Sequence, residues 1–563
     1  MPCGMFSNRF LFLPWFLLLL FSAASLPAST GVVVSGSKES SEIGIKVLKA
    51  GGNAADAAIA VSMAVGVTEP FGSGLGGKAV ILYFEKSSGQ VHFIESLDQA
   101  PKVFPIEEYR SASYKTKNYS FKAVCTPGLV PGMWDLHQRF GSQPWATLVL
   151  PAAEIARQGY IVDAHSAAIY RRSRSNLRAN PETRRLYTSG GDVPAAGERM
   201  ANPDLAATLE RLAHNGIAEF REGATARMLA KGIQDGGGWI TLDDLQSYQP
   251  RSPEPLSASW NEYEIFTAGS PVAGGAVVLM SLLALEDTAG DLDRLSAERF
   301  DLLGRVLRAS YPRVFRSFGD EASREGARQA SFSAEAISDL KKAAAKPLPT
   351  TASHCADSPS AEELSGRRST THFVVVDSEG NVATITQSLS SRFGAAAIAP
   401  GTGFLLNNTM KNFAVNTTRS VNFIAAGKRP RSTMSPTIVL ENGQPRIALG
   451  APGGQRIPTA VTQVLSAVLI YGSSLQEAIE EPRYHLRRPL ARSESDRYVE
   501  VEPSFGEARA ATLQTLGWEV NFVEPERYYF GGVNAVYIDP QTQQPVGVAD
   551  PRRSNYAAYL ESE

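Results

Sequence analysis

At Thr370 the chain changes character within a single residue, and few features restrict its possible folds more. Residues 346–369, KPLPTTASHCADSPSAEELSGRRS, are polar and rich in Pro and Ser, with no apolar periodicity. Such a stretch buries too little to hold a structure of its own and reads as a loop or linker. From Thr370 onward come THFVVVD and NVATITQSL, two β-rich runs around the turn D-S-E-G-N, which predict a hairpin. Further strands are predicted at SPTIVL, PRIALGA and NAVYID, with a helix at TAVTQVLSAVLIYG between them. Upstream the pattern is helical. SSEIGIKVLKAGGNAADAAIAV predicts one helix through Ile43, Ile45, Val47 and Leu48 that stops at Gly51-Gly52, and a second capped by Asn53. Residues 127–345 read as mostly helical, in segments such as LPAAEIARQGYIV and GGAVVLMSLLALE. Helices outside and strands within predict an α+β fold of layered sandwich type.

Several functional classes are excluded early. A net charge of −2 offers nothing to a nucleic acid or other polyanion. Arg9 precedes FLFLPWFLLLLFSAASLPAS, whose apolar core is shorter than the ~20 residues that span a bilayer and ends in small residues. Residues 1–29 are therefore expected to be a signal peptide. The mature protein would be exported, periplasmic or extracellular, and free of the membrane. Cys3, Cys125 and Cys355 form no metal motif and no disulfide framework, although a single Cys125–Cys355 bridge stays open. The histidines show no ligand spacing, so neither a metal nor a cofactor is expected. Gly72 to Lys78 fits G-x-x-x-x-G-K, but Ala79 cannot ligate Mg²⁺, and AVILYF reads as a strand where a phosphate loop needs a helix. A tight turn into a strand is expected there instead.

A threonine hydroxyl needs a base before it can act as a nucleophile. Its own α-amine serves if the preceding peptide bond is broken, since that group titrates at about 7.7–8.0. The cut needs the same hydroxyl, attacking the preceding carbonyl. A flexible segment before Thr370 and a strand after it suit that step, although an uncut linker leading into a hairpin fits these residues as well. Gly453-Gly454 in GAPGGQR follow a predicted strand, where bare backbone N–H groups can face an oxyanion. Ser432 and Thr433 precede another strand as neutral hydrogen-bond donors.

Longer motifs carry a resemblance. TTHFVVVDSEGNVATITQSL, GTGFLLNNTMKNF, KRPRSTMSPTIVLENG, LGAPGGQRI and VADPRRSNYAAY resemble the small subunit of the γ-glutamyltranspeptidase family. VLKAGGNAADAAIAV, TPGLVPGMWDLHQRFG, ARQGYIV and GGWITLDDLQSY are similar to its large subunit, in the same order. The resemblance implies an N-terminal nucleophile hydrolase with a four-layer αββα sandwich. It also implies a precursor that cuts itself before Thr370 into a large subunit (30–369) and a small subunit (370–563), intertwined as one domain. Thr370 would be the nucleophile and its new amine the base. Ser388 stands where the family usually has a second threonine, and Gly453 and Gly454 match the oxyanion glycines. Asn408 and Asp550 fall in motifs that look structural. The substrate would be a small amide or peptide such as glutathione, and the acceptor water, an amino acid or a dipeptide.

The substrate pocket departs from the family pattern. Leu97, in ESLDQAP, stands where the family holds the glutamyl carboxylate with an arginine, and Asn412 stands where an acidic residue meets the ammonium group. Thr409 replaces Gln or Glu, Ser390 replaces Asn, Ser432 is kept, and Thr433 replaces Ser. Charge-assisted hydrogen bonds contribute roughly 1.5–3 kcal/mol each, so losing two weakens a zwitterionic ligand by orders of magnitude. Arg392, Lys411 and Arg431 are candidate replacements for the carboxylate anchor. An amidase for a non-glutamyl acyl group, similar to cephalosporin acylases, is the second reading. A non-catalytic binding protein on the same scaffold is the third.

Overall fold

In the first strand, Ser29–Ser35 (β1), Val32 and Val34 enter one apolar cluster and Val33 another. Side chains alternate across a strand, so this sheet is covered on both faces. The computed structural model describes Met1 and residues 29–188, 191–286, 290–321, 325–348, 368–487, 495–523 and 527–561. Most of the expected signal segment, most of the linker and Cys355 lie outside them, while Cys125 is a buried free thiol.

Eleven more strands build two sheets: Lys78–Glu85 (β2), Gln90–Ser96 (β3), Leu256–Trp260 (β4), Tyr263–Thr267 (β5), Arg368–Val376 (β6), Val382–Ser391 (β7), Thr437–Glu441 (β8), Gln444–Gly450 (β9), Asn534–Ile538 (β10), Pro545–Ala549 (β11) and Tyr556–Glu561 (β12). Their orders are β12-β1-β6-β7-β2-β3 and β11-β10-β9-β8-β5-β4. Every neighbouring pair is antiparallel. The sheets face each other across Val80, Leu82, Phe84, Val374, Val376, Ile438, Ala448 and Val536. Each buried Val, Leu, Ile or Phe among them contributes about 1.5–3 kcal/mol. Helices Lys38–Lys49 (α1) and Ala54–Thr68 (α2) cover the first sheet, and Gly274–Leu285 (α3) and Arg456–Leu469 (α4) cover the second. This is the four-layer αββα sandwich that the sequence led us to expect.

The predicted local signals act where they were read. Asn53 caps α2, accepting from the N–H groups of Ala55 and Asp56 at 3.0 Å, while the Asp56 carboxylate accepts from Asn53 N at 3.1 Å. In D-S-E-G-N, Asp377 accepts from the N–H groups of Glu379 (3.0 Å) and Asn381 (2.9 Å), and from Ala54 at the start of α2 (2.8 Å). One carboxylate therefore closes the hairpin and fastens it to the helical layer. The hairpin β4–β5 lies inside the region read as mostly helical. Its first strand is only partly buried until Trp260 and gives a weak apolar signal. Both sheets draw strands from both sides of Thr370, so a cut there leaves two chains that share both sheets. Among the described residues no helix is long and apolar enough to cross a membrane.

His372 is buried in β6, its Nδ1 2.8 Å from Thr386 Oγ1, and a Cβ at Gly450 would meet its ring at 2.4 Å. Burial pushes its pKa down to about 3. An unfolded histidine titrates near 6.5, so between those values the unfolded chain binds more protons. The stability this residue confers is full above pH 6.5 and is lost as the pH falls towards 3, by up to about 1.4 kcal/mol per pH unit. Chemical unfolding between pH 7 and 5 should show a shallower decline for His372→Asn than for the parent, from a lower starting stability. Parallel declines would remove His372 as a source of the acid sensitivity.

Candidate active site

The pairing of β6 with β7 slips once. Ser369 lies opposite Ser390 and Thr371 opposite Gln387, so Ser388 and Leu389 together face Thr370. A bulge of this kind re-aims side chains. Here it aligns three oxygens. Thr370 Oγ1 donates to Ser388 Oγ at 3.2 Å, and Ser388 Oγ donates to the Ser369 carbonyl at 2.8 Å. The Ser390 N–H donates back to Ser388 Oγ at 2.8 Å, which fixes its rotamer. Thr371 points the other way and donates to the buried Glu69, a carboxyl whose pKa burial raises against the pull of Arg553. Arg553 also donates to the Thr370 carbonyl at 3.2 Å. Of the two threonines, only the first opens on the cleft.

That cleft holds about 160 Å³ and is bordered by Thr370, Ser388, Ser390, Asn412, Ser432, Thr433 and Gly454. Gly453 and Gly454 have φ of +139° and +64°, a region that strains any residue with a Cβ. They join β9 to α4, and Gly454, Gln455 and Ile457 at the N-terminal turn of that helix line the cleft. The positive end of the helix dipole thus borders the site, where it favours negative charge. Thr433 Oγ1 donates to the Gly454 carbonyl at 2.9 Å, tying the two walls together. Ser390 Oγ and the Asn412 side-chain amide lie within hydrogen-bond reach, at 3.1–3.3 Å.

Residues 40–560 match the family described as Gamma-glutamyltranspeptidase. The chain belongs to that family. It is 32% identical over 559 residues to a glutathione hydrolase proenzyme of Pseudomonas aeruginosa, covering 94% of this chain and 95% of that protein. It is 29% identical over 548 residues to a glutathione hydrolase proenzyme of Escherichia coli, covering 93% and 91%. The crystal structure of a cephalosporin acylase from Bacillus halodurans shares the fold with a TM-score of 0.85 at 23% identity, covering 98% of this chain and all of the other.

Two positions that the γ-glutamyltranspeptidase pattern assigned to the substrate lie elsewhere. Leu97 is fully buried in the apolar layer between the sheets. Its N–H donates to Glu95 Oε1 at 2.8 Å, and its carbonyl accepts from Tyr248 Oη at 2.7 Å, so it forms no part of the cleft wall. Thr409 sits behind the wall, donating to Asp98 Oδ2 at 2.6 Å and accepting from Lys78 Nζ at 2.9 Å. Gly453 is one residue back from the lining Gly454. Of the three candidate cations, Lys411 and Arg431 border the cleft, whereas Arg392 lies near His165. Lys78, read above only as the end of a rejected phosphate motif, also lines the cleft. Asn408 accepts from Ser391 N at 3.0 Å, and Asp550 binds Arg483 at 3.1 Å, both buried and structural.

Ser390 has φ of +81°, which costs a non-glycine residue on the order of 1 kcal/mol. Ser390→Gly should raise the melting temperature and the β-branched Ser390→Val should lower it. Equal melting temperatures for both variants would show that the backbone there is unstrained.

Proposed function

We propose that this chain is a self-cleaving amide hydrolase and acyltransferase, acting on γ-glutamyl-type amides such as glutathione through an acyl-enzyme on Thr370. The observation that carries this reading is the hydroxyl relay from Thr370 Oγ1 through Ser388 Oγ to the Ser369 carbonyl. In the precursor, Thr370 Oγ1 attacks the Ser369 carbonyl carbon while Ser388, already hydrogen-bonded to that oxygen, stabilises the negative charge developing on it. The C–N bond breaks as the ester forms, and the proton from the hydroxyl ends on the freed amine. Water then hydrolyses the ester, leaving a large subunit, 30–369 once residues 1–29 are removed, and a small subunit, 370–563. The name proenzyme carried by both bacterial relatives supports such a precursor.

In the mature enzyme the new α-amine accepts the Thr370 hydroxyl proton as the oxygen attacks the substrate amide. The tetrahedral oxyanion faces the backbone at Gly453-Gly454 and the positive end of α4. The leaving amine takes the proton, and water, an amino acid or a dipeptide accepts the acyl group. Action outside the cytoplasm, after export, completes the reading.

A second reading concerns the acyl group. Lys78, Lys411 and Arg431 border the cleft, and among the described residues none that lines it is acidic. Nothing in that wall balances an α-ammonium group, which favours an amidase for acyl groups that lack one.

A denaturing gel of the purified protein, with N-terminal sequencing of the smaller band, tests the proposal. The band should begin at Thr370. Thr370→Ala should give a single uncut chain, and Ser388→Ala should slow the cut roughly a hundredfold, as loss of an oxyanion donor does. A fragment that persists in Thr370→Ala would sink the mechanism. For the acyl group, Asn412→Asp should raise the γ-glutamyl-to-glutaryl anilide ratio of kcat/KM about tenfold, the worth of one charge-assisted bond. An unchanged ratio would show that Asn412 does not meet the α-amino position.

A further inference from the structure

Lys411 and Arg431 are each committed at the cleft wall. Lys411 Nζ donates to Ser391 Oγ, and Arg431 lies 3.9 Å over the Phe315 ring while donating to the Phe315 carbonyl at 2.8 Å. Lys78 is placed differently. It opens β2 directly opposite Ser388 on β7, and cross-strand partners project from the same face with Cβ atoms about 4.5–5.5 Å apart. Its partner across the ladder is therefore the hydroxyl that touches Thr370. The side chain is 4% exposed, and Nζ is held by Thr409 Oγ1 at 2.9 Å and Asp98 Oδ2 at 3.4 Å. On the other side, the β2–β3 ladder ends with Ala79 opposite Ser96, so Leu97 follows at the same end as Lys78 and carries no charge. The cation of this wall comes from β2. Holding a lysine at a buried position requires a partner charge, and Asp98 supplies it without itself lining the cleft.

We propose that Lys78 is the specificity-determining residue of the cleft, and that its ammonium, positioned by Thr409 and Asp98, receives a free carboxylate on the acyl group being transferred. This rests on the hydrolase reading above and names its substrate class: amides of dicarboxylic acyl groups, in which one carboxyl carbon is attacked by Thr370 and the other end remains an anion. Asp98 and Thr409 act through Lys78 and are positioning residues.

The self-processed protein would be assayed on glutaryl, γ-glutamyl and valeryl anilides, the last matching glutaryl in length without its carboxylate. Wild type should favour glutaryl over valeryl in kcat/KM. Lys78→Met should lower that preference roughly ten- to a hundredfold, with the loss falling on KM more than on kcat, and Lys78→Arg should restore most of it. Because Lys78→Met strands Asp98, the charge-balanced Lys78→Met/Asp98→Asn is assayed beside it and should lose the preference equally. A glutaryl preference that survives in the processed double variant overturns the proposal. If processed wild type hydrolyses none of the anilides, the hydrolase reading fails on its own. Calorimetric binding of glutarate and valerate then tests the anchor separately: glutarate binding lost in the double variant supports it, and equal binding overturns it.

Discussion

The chemistry proposed for this molecule hangs on a misalignment of one residue between two buried strands. Regular pairing would set Thr370 against a single partner and turn its hydroxyl into an ordinary strand contact. The slip between Ser369 and Thr371 instead puts two β7 residues across from it, and the Ser388 hydroxyl enters the space between Thr370 Oγ1 and the Ser369 carbonyl. A bulge loses ladder hydrogen bonds and survives only where the surroundings fix it. Here they do. Both strands are central in a six-stranded sheet, covered by helices on one face and by a second sheet on the other. The Ser390 N–H, in a residue with a left-handed backbone, then locks Ser388 from the next position. A reacting group held this way stays in place because rigid elements, not loops, carry it.

The same architecture makes a cut in the chain harmless. Strands before Thr370 (β1, β2, β3) share the first sheet with the strands β6, β7 and β12, β1 lying between β12 and β6, and β4–β5 join β8–β11 in the second. Separating the two pieces would expose both faces of both sheets, together with the apolar cluster between them. A single broken peptide bond at Thr370 opposes that with nothing but the freedom of one chain end. The proposed self-processing would thus change the chemistry of Thr370 without changing the fold.

Local signals made much of this legible in the sequence. The D-S-E-G-N turn, the period-2 runs around it, the Asn53 cap and the glycines at 453 and 454 each act through neighbours a few residues away. The layered fold followed from them. What could not be read depends on distant partners. β1 and β12 pair across the whole length of the chain, and β4–β5 is short and half-exposed. Leu97 shows the limit of motif alignment. Its place in ESLDQAP is that of a substrate residue, but burial is decided by which face the chain presents after β3, and that face is the apolar layer. Lys78 shows the converse. Its local sequence speaks only of a phosphate loop it cannot form, and its place in the cleft comes from register with Ser388, more than three hundred residues away.

These placements have a joint electrostatic consequence. Lys78, Lys411, Arg431 and the N-terminus of α4 border the cleft at Thr370, and among the described residues its wall holds no carboxylate, Asp98 pairing with Lys78 from behind it. An uncut chain has no charge at the Thr370 nitrogen. A cut one adds an amine, whose protonated form would be one more cation among cations. Like charges favour the neutral amine, and the neutral amine is the form that takes the hydroxyl proton. The same field would draw in an anionic acyl group and steady the oxyanion formed from it. On the proposed mechanism, basic residues that receive a carboxylate would therefore also favour the neutral form of the base. Substrate choice and nucleophile activation would then be two results of one charge distribution, and a change that adds a carboxylate to the cleft should alter both.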